Sequence, residues 1–321
     1  MIIIRSPLRI SFVGGGSDLP FFYKKKNGQV FSFTINKYMY IFFNKSFHNV
    51  NYIKYSKKEV VNSIEEIKHP IAKSILKYLN LKNIDVSSMC DIPGGLGLGS
   101  SSAYTAGFLK AGYSYINKNI SKYELATRSC IIEINKLKQN IGKQDQFATV
   151  YGGFNKFIFK KNEKVSIKKY DFPSHFLNQF YKNTLLIYVG GQRSANNILT
   201  KQIKNSSQLK TIDNLQKISN LTNIFINYFN NMDFKYCGKI MNENWHLKKS
   251  LTNSVTNKKI NMIYDDLIES GAYGGKLLGA GSGGFIFMFM PSKLKNSIKN
   301  NKKNINIIDF KISNNGTERI F

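Results

Sequence analysis

The residues from Pro93 to Ala103, PGGLGLGSSSA, carry the strongest chemical signal in the chain. Gly94, Gly95, Gly97 and Gly99 are interleaved with Leu96 and Leu98 and run into Ser100, Ser101 and Ser102, after which the pattern turns helical. A loop of small residues feeding a helix presents unsatisfied backbone N–H groups and the positive end of the helix dipole, which suits an anion. Glycine lets a phosphate approach the backbone closely, and serine hydroxyls at the mouth can ligate a phosphate-bound Mg²⁺. The plainer alternative is a flexible turn with a serine N-cap; the regular glycine–leucine alternation before three serines argues against it.

Glu133 is singled out by helix geometry. On a helix starting at Ser121, Ala126, Cys130, Glu133 and Leu137 share one mostly apolar, small-residue face. A carboxylate in such a stripe must be paired or ligate a metal, unless it is an exposed partner of Lys136. Two further segments are dense in glycine. Residues 7–18, PLRISFVGGGSD, read as a strand, a glycine cluster and Asp18, which in isolation is a hairpin with a capping aspartate. Residues 279–284, GAGSGG, match a dinucleotide-binding spacing, but an apolar strand-like run follows where a helix is required. The chain has no GxxxxGK[ST] loop and no HRD or DFG element of protein kinases.

Charge narrows the partners. The 321 residues carry 47 Lys+Arg against 19 Asp+Glu, a formal net charge of +28, which raises nucleic acid, anionic membrane or a phosphorylated substrate. Only Arg5, Arg9, Arg128, Arg193 and Arg319 are arginine; the remaining 42 basic residues are lysines scattered among Asn and Ile, and most read as solvated surface. Lysine clusters carry no interleaved aromatics of a nucleic-acid module, so no nucleic acid is expected. Against this background an arginine stands out, because its planar fork holds phosphate in a way lysine cannot copy. Cys90, Cys130 and Cys237 form no spaced pair and the four histidines are far apart, which speaks against a disulfide framework or a zinc site. The N-terminus is broken by Arg5, Ser6, Pro7 and Arg9, unlike a signal peptide, and the longest apolar run, Phe285 to Met290, is too short to span a bilayer. A soluble, cytoplasmic protein without membrane contact is expected.

The elements that must position these residues mix strands and helices without a βαβ rhythm, which predicts an α+β fold. Strands are expected at Ile2 to Ile4, Leu8 to Val13, Val30 to Ile35, Tyr38 to Phe43 and Ile84 to Met89, with a helix at 65–80. Helices follow at 101–117 and from Ser121 to about Leu137, the second opened by a Ser121–Glu124 capping pattern. Residues 152–170 return to strand pattern. A polar link near 175–183 predicts a domain boundary, giving 1–178 and 179–321, in accord with about two domains for this length. The second half reads as a strand at 185–189, helices at 195–204, 208–231, 234–249 and 255–270, a strand at 285–290, a helix and a strand at 305–312. Trp245 and the aromatics around Tyr38 to Phe43 read as core.

Taken together, four ordered segments resemble the GHMP kinase superfamily over nearly the whole chain. PLRISFVGGGSD (7–18) is similar to the first motif, PGGLGLGSSSA (93–103) to the phosphate-binding second, and KLLGAGSGGF (276–285) to the third, while IGKQDQFATVYGGFN (141–155) is similar to the segment with the catalytic aspartate. With YVGGQR at 188–193, the finer resemblance is to a branch of sugar-1-kinases acting on heptose 7-phosphate or fucose; the short chain favours the heptose phosphate. Gly15 and Gly16 stand where galactokinase-type first motifs carry Glu-His, Ser282 interrupts the third motif's glycine run, and Val189 replaces a common Thr.

The resemblance implies an N-terminal ribosomal-S5-like domain and a C-terminal ferredoxin-like domain with ATP and sugar between them, a homodimer being left open. It implies that Asp145 is the general base, that Ser101 and Glu133 share Mg²⁺, and that residues 94–102 hold the ATP phosphates. Arg9 is expected near the transferring phosphoryl or the sugar, and Arg193 at the substrate's own phosphate or a sugar hydroxyl. Asp18, with Gly15, Gly16 and Ser17, is expected at the sugar, and Gly281 and Ser282 beside it. The structural alternatives are an Asp145–Lys143 surface pair, ordinary surface roles for the two arginines, and a turn-capping Asp18.

Overall fold

The computed structural model describes residues 1–191, 209–251, 253–300 and 306–321. The two pairs of strands expected in the first 45 residues are two long strands, β1 (Ile2–Val13) and β2 (Gly28–Lys45). They pair antiparallel throughout, and the register shift between Pro7 and Leu8 absorbs Asn36 and Lys37 of β2 without ending either ladder. Between them sits a short helix, α1 (Pro20–Tyr23).

A hairpin not expected from the sequence follows, β3 (Asn51–Lys54) and β4 (Lys58–Val61), whose lysine- and glutamate-rich edge hid its alternation. The helix expected at 65–80 is a 3₁₀ turn, Ile64–Glu66, and then α2 (Pro70–Leu79), started by Pro70 at N1 with the His69 ring accepting the Ala72 amide. β5 (Ile84–Cys90) leads through the glycine loop into α3 (Ser100–Tyr115). Next, α4 (Lys122–Cys130) begins where Ser121 accepts the Glu124 amide, and it passes into a π-helical turn, Ile131–Lys136. The α5 helix (Gln144–Tyr151) then precedes the hairpin β6 (Phe154–Phe159) and β7 (Val165–Tyr170).

The stretch near 175–183 is not an irregular link. It is α6 (Ser174–Lys182), an amphipathic helix that buries Phe176 and Phe180, four residues apart on one face. After β8 (Thr184–Gly190), the described helices are α7 (Leu209–Asn230), α8 (Phe234–Lys249) and α9 (Lys258–Glu269), close to expectation; the helix expected at 195–204 lies outside the described residues. The chain closes with β9 (Gly274–Leu277), β10 (Gly284–Phe289), α10 (Ser292–Asn300), β11 (Asn306–Ile307) and β12 (Glu318–Arg319).

One sheet has eight strands in the order β12-β1-β2-β5-β3-β4, with the β6–β7 hairpin added to the first half of β2; the other has four, β11-β8-β10-β9. The C-terminal strand thus returns to the first sheet, where Glu318 pairs with Arg5 at 2.7 Å. Alternation along β10 explains how the halves join. Phe285, Phe287 and Phe289 enter a shared aromatic core with Phe12, Phe33, Phe180 and Phe229, while Ile286 and Met288 face a second core around Trp245. Phe12 of the first sheet meets Phe287 of the second edge-on at 5.6 Å. No described helix is long and apolar enough to cross a membrane.

Candidate active site

The glycine loop, the start of α3, the start of α5 and the ends of α8 and β9 surround a cavity of about 450 Å³, the size of a small-ligand site. Gly95, Gly97, Gly99 and Ser100 to Ser102 line it. Leu96 and Leu98 are buried in the core and anchor the loop, and the Leu98 carbonyl accepts the Arg9 amide at 2.9 Å. Gly94 is not part of the lining. Gly99 caps α3 with no side-chain hydrogen bond, so the first-turn amides are left for an anion in the cavity.

The glycines of the second and third segments serve a close backbone contact. A Cβ on Gly97 would sit 2.7 Å from the Leu278 carbonyl oxygen, and one on Gly279 would sit 2.4 Å from the Gly97 Cα. Backbone therefore meets backbone across the two halves, which fixes the glycine loop.

Asp145 opens α5 and lines the cavity beside Gly99, where a Cβ would lie 3.5 Å from its Oδ2. Arg9 holds it with a two-pronged ion pair, Nε to Oδ1 at 2.7 Å and Nη2 to Oδ2 at 2.5 Å, while Nη1 donates to the Gly97 carbonyl at 2.5 Å. The pair is planar and oriented, and Arg9 is almost fully buried. Lys143, the surface partner considered from sequence, instead lies over the Tyr23 ring and donates to the Glu163 carbonyl.

Glu133 is fully buried in the π-helical turn, an irregularity common at functional positions. Its carboxylate accepts from Ser101 Oγ at 2.8 Å, Ser102 Oγ at 2.8 Å and Gln146 Nε2 at 2.6 Å, not from Lys136. Burial pushes its pKa up, and these three donors oppose the rise. Among the described residues no group of three or more His, Cys, Asp or Glu side chains could hold a metal. Ser101 lines the cavity and Glu133, which does not, lies directly behind it; this hydroxyl and carboxylate are the oxygen types Mg²⁺ takes, the rest of its shell being phosphate and water.

Asp18 is buried at the cavity wall, and both its oxygens are engaged. Oδ1 accepts from the Gly16 amide at 2.9 Å and Gln144 Nε2 at 3.2 Å, and Oδ2 accepts the Gln144 amide at 3.1 Å. The carboxylate thus caps α5 one residue before Asp145. A Cβ on Gly142 would lie 1.9 Å from Asp18 Oδ2, so glycine is required there. Burial raises the Asp18 pKa, the Gln144 amide opposes this, and the neighbouring Asp145 charge adds to it. Gly15, Gly16 and Gly281 line the cavity with it. Ser17 and Ser282 do not: Ser17 Oγ donates to the Gly14 carbonyl at 2.7 Å, and Ser282 Oγ donates to the Ser254 carbonyl. Arg193 lies outside the described residues.

Two cavity cations escaped the sequence reading. Lys248, at the end of α8, and Lys276, on β9, are both buried in the wall. Burial pushes Lys248 down to about 8, with Arg9 adding to the effect, and it pushes Lys276 well down, with Lys248 and Arg9 adding. Nothing in a chain with 42 lysines marks these two; only the place of Lys276 at the head of the third glycine segment offered a hint.

Comparison with known proteins agrees with this architecture. The model for the GHMP kinases N terminal domain matches residues 62–153, and that for the GHMP kinases C terminal matches residues 225–303. The chain is 29% identical to a D-glycero-alpha-D-manno-heptose 7-phosphate kinase of Campylobacter jejuni over 98% of this chain and 97% of that one. It is 26% identical to the L-fucokinase/L-fucose-1-P guanylyltransferase of Bacteroides fragilis over 88% of this chain but 34% of that longer protein. Its fold superposes on the crystal structure of a D-glycero-D-manno-heptose 1-phosphate kinase from Bacteroides thetaiotaomicron with a TM-score of 0.82, at 21% identity and covering 99% and 98% of the two chains. With matching domains in both halves and the motifs gathered on one cavity, the chain belongs to the GHMP kinases and is a phosphotransferase.

Proposed function

We propose that this enzyme transfers the terminal phosphoryl group of ATP to the C1 hydroxyl of D-glycero-D-manno-heptose 7-phosphate, giving heptose 1,7-bisphosphate and ADP. The product would feed nucleotide-activated heptose for surface polysaccharide, in the cytoplasm where ATP is at hand. The observation that carries the chemistry is the Arg9–Asp145 pair set beside the uncapped start of α3 in one cavity. The choice of sugar is supported by the near full-length similarity to the Campylobacter jejuni enzyme.

Phosphoryl transfer asks a protein chiefly to position the reactants and neutralise charge. The first-turn amides of α3 hold the nucleotide phosphates, with Ser101 and Glu133 as the ligands of Mg²⁺. When bound, that ion offsets charge on the phosphate oxygens. Arg9 fixes the plane of the Asp145 carboxylate, whose remaining lone pairs accept the proton of the sugar hydroxyl as it attacks. Asp18 and Gly142 set the position of α5, and hence of Asp145.

The test is ADP release by the purified protein with ATP, Mg²⁺ and a panel of heptose 7-phosphate, unphosphorylated heptose, fucose, mannose and galactose, with Asp145→Asn as control. Turnover confined to heptose 7-phosphate and lost in the variant is the expected result. Turnover on fucose or another neutral sugar would keep the kinase and discard the phosphosugar. No turnover on any sugar, with ATP still bound, would leave a silent binder.

A further inference from the structure

Three cations meet at the cavity, Arg9 from the N-terminal half and Lys248 and Lys276 from the C-terminal half, and their engagements differ. Arg9 is committed to Asp145 and the Gly97 carbonyl. Lys248, 9% exposed, donates its ammonium to the Gly279 carbonyl. Lys276 is 3% exposed, lines the cavity, and its ammonium has neither a hydrogen-bond nor an ion-pair partner among the described residues. The charges that act on it most are the like charges of Lys248 and Arg9, with the Asp18 carboxylate the opposing one.

A buried ammonium without a partner is unfavourable, and another cation beside it makes it more so. In the wall of a solvent-accessible cavity such a group is a pre-placed amine whose charged form is favoured when an anionic ligand arrives as its counter-ion. The start of α3 supplies amide donors from the N-terminal half, and the lysine pair adds a second electropositive group from the C-terminal half, beside the glycine loop. Its chemistry suits a phosphate group: two point-charge ammonium donors, one of them free to turn toward the anion.

We propose that Lys276, seconded by Lys248, is a phosphate-binding site on the C-terminal wall of the cavity. The phosphate comes either from the sugar substrate or from the end of the ATP chain. The first source rests on the proposed phosphosugar substrate; the second needs only the kinase.

Lys276→Met and Lys276→Arg would be measured for steady-state kinetics with heptose 7-phosphate, with unphosphorylated heptose, and for binding of ADP and a non-hydrolysable ATP analogue. If the site holds the sugar's phosphate, Lys276→Met raises the KM for heptose 7-phosphate by roughly 30-fold, the size of a lost charge-assisted contact. The ATP analogue then binds within about threefold of wild type, and Lys276→Arg recovers part of the loss. If it holds the ATP terminus, the ATP analogue weakens by a similar factor while ADP does not. A folded Lys276→Met, checked by thermal melting, that keeps both ligands within about threefold overturns the proposal. Anomalous diffraction from wild-type crystals grown with tungstate is independent of the variants: a tungsten site in hydrogen-bond reach of Lys276 Nζ is expected, and tungsten bound elsewhere in the cavity alone overturns it. Failure of the wild type to use heptose 7-phosphate would sink the substrate assignment while leaving the tungstate and ATP measurements to decide the role of Lys276.

Discussion

The two walls of the cavity are built on opposite electrostatic plans. On the N-terminal wall every charge is answered. Arg9 forks onto Asp145, Glu133 accepts two serines and a glutamine, and Asp18 takes two backbone amides and Gln144. On the C-terminal wall Lys248 has only a carbonyl, and Lys276 has no partner among the described residues. Charges held by fixed partners keep their geometry before substrate arrives, which is what positioning a nucleophile and its base requires. A wall with surplus positive charge is completed by the ligand. The first wall sets geometry; the second selects for negative charge.

The sharpest way to break this division is Asp145→Asn. The amide keeps the shape but cannot accept the proton, and it gives up the ion pair with Arg9. kcat should fall by about 10³-fold, within the range for a lost general base, while ATP affinity holds. A loss confined to KM would move Asp145 out of the chemistry. Next in size is Glu133→Gln. The variant leaves one of the three donors facing an amide N–H and weakens the proposed Mg²⁺ ligand pair, so half-maximal activity should need roughly 10- to 100-fold more Mg²⁺. An unchanged Mg²⁺ dependence with a lowered melting temperature would make Glu133 a purely structural link between α3, α5 and the π-helical turn.

How far the sequence could foresee this differs between the same two walls. Ser101 and Glu133 stood out from local patterns, glycine and serine before a helix and a carboxylate in a small-residue stripe, whereas Asp145 stood out only through the resemblance carried by residues 141–155. The stripe argument assumed an α-helix to Leu137, and the chain instead switches to a π-helical turn at Ile131, yet Glu133 is still buried because the inward face is kept. The capping of α5 by Asp18 spans 126 positions, so no local pattern could report it. Lys248 and Lys276 are brought together by the β9–β10 pairing and the packing of α8 on β9, and they look like any other lysine in the chain. The α6 helix was hidden by polar residues on its outward face, although Phe176 and Phe180 carried the helical spacing.

A smaller effect, several-fold per pH unit, comes from Lys248. Its ammonium is held down to about 8 by burial and Arg9, against the pull of Asp18 and Asp145. Below that pH it is charged; above it the proton is lost, so the affinity for a phosphate ligand should fall between pH 8 and 9. Stability should move the other way. An unfolded lysine keeps its proton to about 10.4, so from pH 8 upward the unfolded chain binds more protons and this group's contribution makes the fold more stable. Titration calorimetry of the ATP analogue and thermal melts across pH 7 to 9.5 would check both slopes. In Lys248→Arg the binding slope should flatten.

The finest test concerns Ser282, which sits inside the third glycine segment but not on the cavity. It holds a left-handed backbone, φ 65°, anchored by its amide to the Val255 carbonyl at 2.7 Å and by its hydroxyl to the Ser254 carbonyl. Ser282→Gly relieves the left-handed penalty, about 1–2 kcal/mol, and forfeits a hydrogen bond of about 0.5–1.5 kcal/mol. The two nearly cancel, so the melting temperature should shift by only a few degrees in either direction. The kinetic constants should stay unchanged, because the amide anchor remains and no cavity group is removed. A rise in the KM for sugar with stability intact would show that the Ser282 hydroxyl turns toward the ligand, and that the C-terminal wall reads hydroxyls as well as charge.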